Sequence, residues 1–203
     1  PAVTPLTDMI FFDRIADTID FIGIDYYYSA SLDNLTAAYA GLGSFPDVRP
    51  QPDEIYQALH HYHDRYPGKP LYIVENGMPT DNGRPRADGY TRGEFLEDTL
   101  FWVQRARGEG LPVVGYNHWA FTDNYEWGSY DSRFGLYRVD VLTDPYLTRR
   151  PTTGVAAYRR MTRAGGPALG YRPVKSPAVG SLSRIPESLL APSRVDGPRA
   201  RLR

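Results

Sequence analysis

The chain has 203 residues, of which 41% are hydrophobic and 13% aromatic, with a formal net charge of -1 and no cysteine. This length allows one sizeable core, whereas the balanced charge gives no indication of a nucleic-acid or membrane-surface partner. The lack of cysteine excludes disulfides and thiolate metal sites, and no apolar run approaches the ~20 residues of a membrane span. Because no signal peptide opens the sequence, we expect a cytoplasmic protein.

Three apolar segments have the composition of buried β-strands, and they are separated by segments with helical periodicity. The strand segments are DFIGIDYYY (20–28), PLYIVEN (70–76) and PVVGYNHW (112–119). The first helix is predicted at 52–66 from apolar residues at helical spacing. The second begins at Thr91, which forms a capping-box pattern with Glu94.

Alternating strands and helices predict parallel strands joined by right-handed crossovers. This pattern does not distinguish a doubly wound sheet from part of a (β/α)8 barrel. A last helix is expected from about 152 to 161. We place a domain at 1–163, followed by a Pro- and Arg-rich tail at 164–203 that buries too little apolar surface to order itself.

All three predicted strands end in residues that suit a sugar-binding site. The first ends in Asp25-Tyr26-Tyr27-Tyr28, the second at Glu75 and the third at His118-Trp119. Parallel strands share a direction, so these ends are expected to meet on one rim. Eight aromatic residues then interleave with carboxylates between positions 116 and 137. Flat rings and carboxylates together are typical of a carbohydrate pocket.

The sequence resembles glycoside hydrolase family 1, the retaining β-glycosidases, over about residues 15–160. The resemblance rests on YIVENG, on GYNHWAFTDNYEWGSYDSRFGLYRVD after it, and on DFIGIDYYY before it. The family pattern is a strand ending in E-N-G, a W-S-x-x-D-N-(F/Y)-E-W segment leading to R-F-G, and an earlier N-Y-Y strand end. This resemblance implies a (β/α)8 TIM barrel, of which the chain supplies about the last three βα units.

The resemblance also implies roles for individual residues. Glu75 matches the nucleophile that forms a glycosyl-enzyme ester, and Tyr27 matches the tyrosine that hydrogen-bonds it. The remaining matches imply sugar-hydroxyl contacts for Glu126 and Trp127, a sugar floor at Trp119 and a pocket-closing ring at Phe134. Glu126 followed by Trp127 favours β-glucosidase-like activity on non-phosphorylated sugars.

Alternatives to these roles remain open at the level of sequence. Glu75 is alternatively a strand-end charge, and Glu126 a loop carboxylate that pairs with Arg133. The aromatic residues of the site are alternatively core or packing residues. Asp123 and Asn124 are expected to shape the loop rather than to touch sugar.

The chain departs from the family pattern at two points. Asp25 stands where the family usually has Asn; it is a candidate substrate contact that can only accept hydrogen bonds when ionised. The T-x-N-E-P strand that carries the acid/base carboxylate does not occur. We therefore expect an N-terminal half of the barrel, in the same or a separate chain, as a partner. The alternative is a catalytically inactive half-barrel that binds sugar or another protein. No cofactor or metal is expected.

Overall fold

The computed structural model describes residues 8–29, 34–41 and 44–177, so that the rest of the predicted tail, 178–203, lies outside the described residues. The strands of the described chain are β1 (Ile22–Tyr26), β2 (Leu71–Asn76), β3 (Thr80–Asp81), β4 (Val113–Tyr116), β5 (Ser132–Arg133), β6 (Tyr137–Arg138) and β7 (Arg150–Pro151). The main sheet has the order β1-β2-β4, and both pairings are parallel. This confirms the parallel arrangement predicted from the alternation of strands and helices.

The described chain has three long helices: α1 (Glu54–Arg65), α2 (Arg92–Gly108) and α3 (Thr153–Ala164). α1 and α2 cover one face of the sheet, and α3 packs against α2. Shorter helical turns lie at Asp8–Phe12, Asp13–Ile15, Ala16–Thr18, Leu35–Ala37, Ala38–Gly41 and Phe45–Asp47. The capping box predicted at the start of α2 is confirmed, with the Thr91 side chain accepting from the Glu94 backbone and the Glu94 side chain accepting from Thr91. The last helix is longer than predicted, because it continues for three residues beyond Met161.

The core lies between the sheet and these helices. Alternate strand residues point toward the helices, and Ile22, Leu71 and Ile73 are at most 1% exposed. The opposite face of the sheet is open in the described chain, where Phe21 and Val114 are 48% and 58% exposed. The sheet therefore has one covered and one uncovered face, although both carry apolar residues.

Two short antiparallel ladders lie beyond the ends of the main strands. β3 pairs with β5, and β6 pairs with β7. Arg133 of β5 ties this region together, because its Nη1 lies 2.6 Å from Asp140 and its Nη2 donates a 2.6 Å bond to Asn82. The alternative pairing of Arg133 with Glu126 is not seen; its ion-pair partners are Asp140 and Asp123.

The chain remains packed after α3, beyond the boundary expected at residue 163. Asp98 of α2 is fully buried and accepts four hydrogen bonds. Tyr171 Oη and the Val174 amide donate to Oδ1 at 2.6 and 2.9 Å, while Tyr90 Oη and the Lys175 amide donate to Oδ2 at 2.7 and 2.9 Å. A buried carboxylate in α2, rather than apolar surface alone, thus holds the segment up to Lys175.

Candidate active site

Glu75 lies at the end of β2, where the strand gives way to a loop. The side chain of Tyr27, just after β1, reaches across, and its hydroxyl donates a 2.7 Å hydrogen bond to Oε2 of Glu75. Burial, followed by the hydrogen bond to Glu75, raises the pKa of Tyr27, so the phenol stays a donor at neutral pH. Oε1 of Glu75 has no hydrogen-bond partner among the described residues. One oxygen of the carboxylate is therefore held, and the other is free to react.

Asp25 lies beside Glu75 in the sheet. The two residues are register partners across β1 and β2, just after a bulge between Ile24 and Asp25. Register partners on parallel strands point to the same face, which here is the open one. Burial and then the charge of Glu75 raise the pKa of Asp25. The structure thus places Asp25 next to the candidate nucleophile, as expected for the ends of neighbouring parallel strands.

Glu126 lies on the loop after β4, and two donors hold one of its oxygens. The indole Nε1 of Trp119 donates to Oε1 at 2.7 Å, and Nδ2 of Asn124 donates to the same atom at 2.8 Å. Oε2 has no hydrogen-bond partner among the described residues. A carboxylate fixed through one oxygen presents the other in a defined position to a hydroxyl group.

Two further aromatic candidates differ sharply in exposure. Trp127 is 85% exposed, and its ring lies 6.2 Å from that of Phe45 with an angle of 31° between the planes. Phe134 is only 4% exposed and packs edge-on against Tyr27, with 5.6 Å between the ring centroids. Phe134 therefore supports Tyr27 from behind, and its contact with substrate stays a prediction.

Two glycines allow the loops of the site to approach one another closely. A Cβ on Gly77 would lie 2.1 Å from the carbonyl oxygen of Trp119, and one on Gly135 would lie 2.4 Å from the amide nitrogen of Asp123. Because each neighbouring atom belongs to the backbone, it cannot swing away as a flexible side chain would. The segments that carry Glu75, Trp119 and Phe134 therefore interlock.

Asn76 is a supporting residue whose role was not predicted from the sequence. Its Nδ2 donates to the Tyr26 carbonyl at 2.6 Å, and the hydroxyl of Tyr116 donates to its Oδ1 at 2.7 Å. The fully buried amide thereby links all three strands next to Glu75. The sequence did contain a signal for this role, namely an amide at the end of a mostly apolar strand. A polar group that is buried there needs hydrogen-bond partners.

Arg92 and His118 are buried groups beside the site. His118 was expected at the sugar-binding rim, whereas Arg92 was given no role from the sequence. Burial lowers the pKa of Arg92 to about 10. Burial and then the charge of Arg92 lower the pKa of His118 to about 4, so this histidine is neutral at neutral pH. The Nε2 of His118 lies 3.3 Å from the carbonyl oxygen of Phe134.

The described residues contain no group of three or more His, Asp or Glu side chains arranged to hold a metal ion. Within the same described ranges, no helix combines the length and apolarity that crossing a bilayer requires. Two of the histidines of α1 lie near carboxylates: Nε2 of His60 is 3.0 Å from Glu109, and Nε2 of His61 is 2.5 Å from Asp8.

Known proteins that are similar to this chain carry the family assignment that its motifs indicate. The sequence model of glycosyl hydrolase family 1 matches residues 7–166. The chain belongs to this family. A β-galactosidase of Sulfolobus acidocaldarius is 35% identical over 173 residues, which cover 76% of this chain and 33% of the relative. The cytosolic β-glucosidase of Homo sapiens is 31% identical over 170 residues, 75% of this chain and 36% of the relative.

Solved family 1 structures also share the fold. The family 1 β-glucosidase of Thermotoga maritima superposes with a TM-score of 0.59 at 25% identity, covering 77% of this chain and 37% of that one. The main sheet and its helices are thus three βα units of a TIM barrel, as predicted. The chain spans about a third of the length of the curated family 1 relatives it matches.

Proposed function

We propose that this chain carries the nucleophile of a retaining β-glycosidase acting on non-phosphorylated β-glycosides. The observation that carries the proposal is the carboxylate of Glu75, which is held through Oε2 by Tyr27 and has Oε1 free at the rim. Retaining glycosidases need such a fixed carboxylate to attack the sugar. Membership of glycosyl hydrolase family 1 supports the same reaction class.

In the proposed reaction, Oε1 of Glu75 attacks the anomeric carbon as the bond to the leaving-group oxygen breaks. The product is a glycosyl ester of Glu75, and the leaving group departs with the bonding electrons. Water then attacks the anomeric carbon and breaks its bond to Glu75, while the proton of the water passes to the acid/base carboxylate proposed for the N-terminal half. This releases the sugar with its original configuration and restores the Glu75 carboxylate. Tyr27 keeps the attacking carboxylate in a single orientation, which lowers the entropic cost of reaching the transition state.

Substrate recognition is assigned to the other side chains of the rim. The Trp119 ring forms the floor under an apolar sugar face, and Oε2 of Glu126 accepts from sugar hydroxyls. Trp127 has no hydrogen bond within the described part of the chain, so its indole N–H is available to a hydroxyl. Asp25 contacts the sugar close to the reacting carbon.

The acid/base carboxylate is proposed to come from an N-terminal half of the barrel. The relatives are about three times as long as the matched part, and a second carboxylate is needed about 5–5.5 Å from the nucleophile. General acid–base catalysis contributes roughly 10²–10⁴ in rate. Natural glycosides, whose leaving groups need a proton, therefore require that half.

With a cytosolic relative at 31% identity, we place the reaction in the cytoplasm.

Trapping the ester tests the nucleophile separately from the acid. A 2-fluoro aryl β-glycoside carries a good leaving group, which departs without needing a proton. The 2-fluoro sugar then remains on the enzyme as a long-lived glycosyl ester. We expect mass spectrometry of peptides from the chain, incubated alone and with the N-terminal half, to locate the label on Glu75. Glu75→Gln should abolish labelling, whereas the matched control Glu126→Gln should slow it but leave the label on Glu75.

The same experiment separates the two candidate functions. A label on any other residue would overturn the assignment of Glu75. Sugar binding without labelling or hydrolysis, even with the N-terminal half present, would instead favour the inactive half-barrel. The acid/base carboxylate absent from the sequence is the observation that favours this alternative.

A further inference from the structure

Arg92 is a buried cation that binds the backbone of two loops at the candidate active site. It is 6% exposed and is the first residue of α2. Its Nη1 donates to the Gly135 carbonyl and its Nη2 to the Arg133 carbonyl, both at 2.6 Å. Its Nε lies 3.4 Å from the Met78 carbonyl. No hydrogen bond within the described residues joins Arg92 to a carboxylate.

These carbonyls belong to the segments that support the nucleophile. Met78 lies in the loop that follows Glu75 directly. The carbonyls of Arg133 and Gly135 flank Phe134, whose ring packs against Tyr27. A single guanidinium thus fixes the loop after the nucleophile and the ring behind the phenol that holds it.

The peptide of Gly135 is held on both sides. Its carbonyl accepts from Arg92, and its amide donates to Oδ1 of Asp123 at 2.9 Å. The other carboxylate oxygen of Asp123 accepts from the Val139 amide at 3.1 Å. A planar guanidinium has several donors in fixed directions, so it can bind several carbonyl groups at once. The ammonium group of a lysine is a single point charge and is less suited to this arrangement.

Helix stability does not account for an arginine at this position. The N-terminus of a helix carries a partial positive charge, so a cation in the first turn is unfavourable. Burying a cation adds a further cost. The capping box of Thr91 and Glu94 already satisfies the start of α2. The contacts that compensate for both costs are those with the two active-site loops.

We propose that Arg92 is a positioning residue for the reaction: by holding the carbonyls of Arg133 and Gly135 and the loop at Met78, it keeps Tyr27 on Oε2 of Glu75. The inference rests on the proposed function, since the position it sets is that of the proposed nucleophile. Arg92 itself touches neither the sugar nor the reacting atoms.

The test compares Arg92→Met, Arg92→Lys and the control Arg84→Met in the protein used for ester trapping. Arg84 lies in the nearby loop, with its side chain 75% exposed and paired with Asp81. Labelling by the 2-fluoro glycoside gives a maximal rate and a half-saturating concentration. We expect Arg92→Met to lower the maximal rate by roughly tenfold to a hundredfold, because small misplacements cost that much, with half-saturation changed by less than about threefold. Arg92→Lys should be intermediate, and Arg84→Met should match the parent.

A second readout does not depend on catalysis. The ¹³C resonance of the Glu75 carboxyl reports the hydrogen bond from Tyr27, and amide exchange reports the segments 77–80 and 133–137. In Arg92→Met the resonance should shift and both segments should exchange faster, while exchange in the core strands stays unchanged. If Arg92→Met does not fold, Arg92→Lys is judged by the same two readouts.

Each failure has its own signature. An unchanged labelling rate in a folded Arg92 variant overturns the inference, even if exchange becomes faster, because Arg92 would then be structural only. Absence of labelling in the parent overturns the proposed function instead. If the parent is not labelled, the positioning role of Arg92 is judged by the Glu75 resonance alone. An unchanged resonance in Arg92→Met overturns that role, and a shifted resonance supports it.

Discussion

Asp25 and Glu75 are register partners on the neighbouring parallel strands β1 and β2, and both face the uncovered side of the sheet. A charged carboxylate so placed disfavours the ionised form of Asp25. Burial is the larger cause of the raised pKa of Asp25, and the charge of Glu75 is the second.

Neutralising Glu75 should therefore lower the pKa of Asp25. We expect the ¹³C-detected titration of Asp25 to have its midpoint above the ordinary value of 3.8. In Glu75→Gln the midpoint should fall but stay raised, because burial remains. Glu126→Gln, which removes a carboxylate not among the causes of the shift, should change it less. An Asp25 midpoint that does not respond to Glu75→Gln would show that the two groups are not coupled.

Removing the hydroxyl of Tyr27 should slow ester formation. A hydrogen bond to a charged group contributes about 1.5–3 kcal/mol, so Tyr27→Phe should lower the labelling rate by roughly 10- to 100-fold. Tyr28→Phe is the matched control, since it follows on the same segment and its hydroxyl has no partner among the described residues. Equal rates in the two variants would mean that the 2.7 Å bond to Glu75 does not contribute to the reaction.

Acid should destabilise the fold through His118. Its pKa falls from 6.5 in the unfolded chain to about 4 in the folded protein, so the unfolded state binds more protons between these values. The stabilisation from neutral His118 is complete above pH 6.5 and is lost as the pH falls toward 4. The loss is on the order of 2–3 kcal/mol.

Urea unfolding at several pH values from 4 to 7.5 measures this dependence. His118→Gln keeps a donor for the Phe134 carbonyl but has no titratable group, so its stability should vary less over that window. His60→Gln in α1 retains His118 and should keep the full variation. If His118→Gln and the parent lose stability equally, another group causes the acid sensitivity.

Asp98 should be required for the segment after α3 to stay packed. Asp98→Asn replaces one acceptor oxygen by an amino group that faces donors, so two of the four hydrogen bonds are lost. We expect the free energy of unfolding to fall by about 2–4 kcal/mol, with faster proteolysis between 165 and 175. Glu97→Gln, whose partner Arg160 is on the surface, should cost less than about 1 kcal/mol. Equal cleavage of both variants would assign the packing of this segment to its apolar contacts.

The sequence predicts much of the sheet and helices, because their signals are local. The capping box at Thr91 and the apolar strand before Glu75 depend on neighbours within a few residues. The role of Arg92 could not be predicted, because its acceptors lie 41 and 43 residues away in the chain. The packed segment at 171–175 was missed for a similar reason. Its composition resembles a disordered tail, and the carboxylate that holds it belongs to another helix.

The uncovered side of the sheet affects how any kinetic result on the separate chain is interpreted. Phe21 and Val114 are exposed there, and the outer edges of β1 and β4 have no strand partner in the described chain. Exposed apolar faces and free strand edges favour association between copies. If copies of the separate chain associate, its apparent rate constant for ester formation will depend on protein concentration. The rate constant of the single chain is then obtained by measuring over a series of protein concentrations and extrapolating to high dilution.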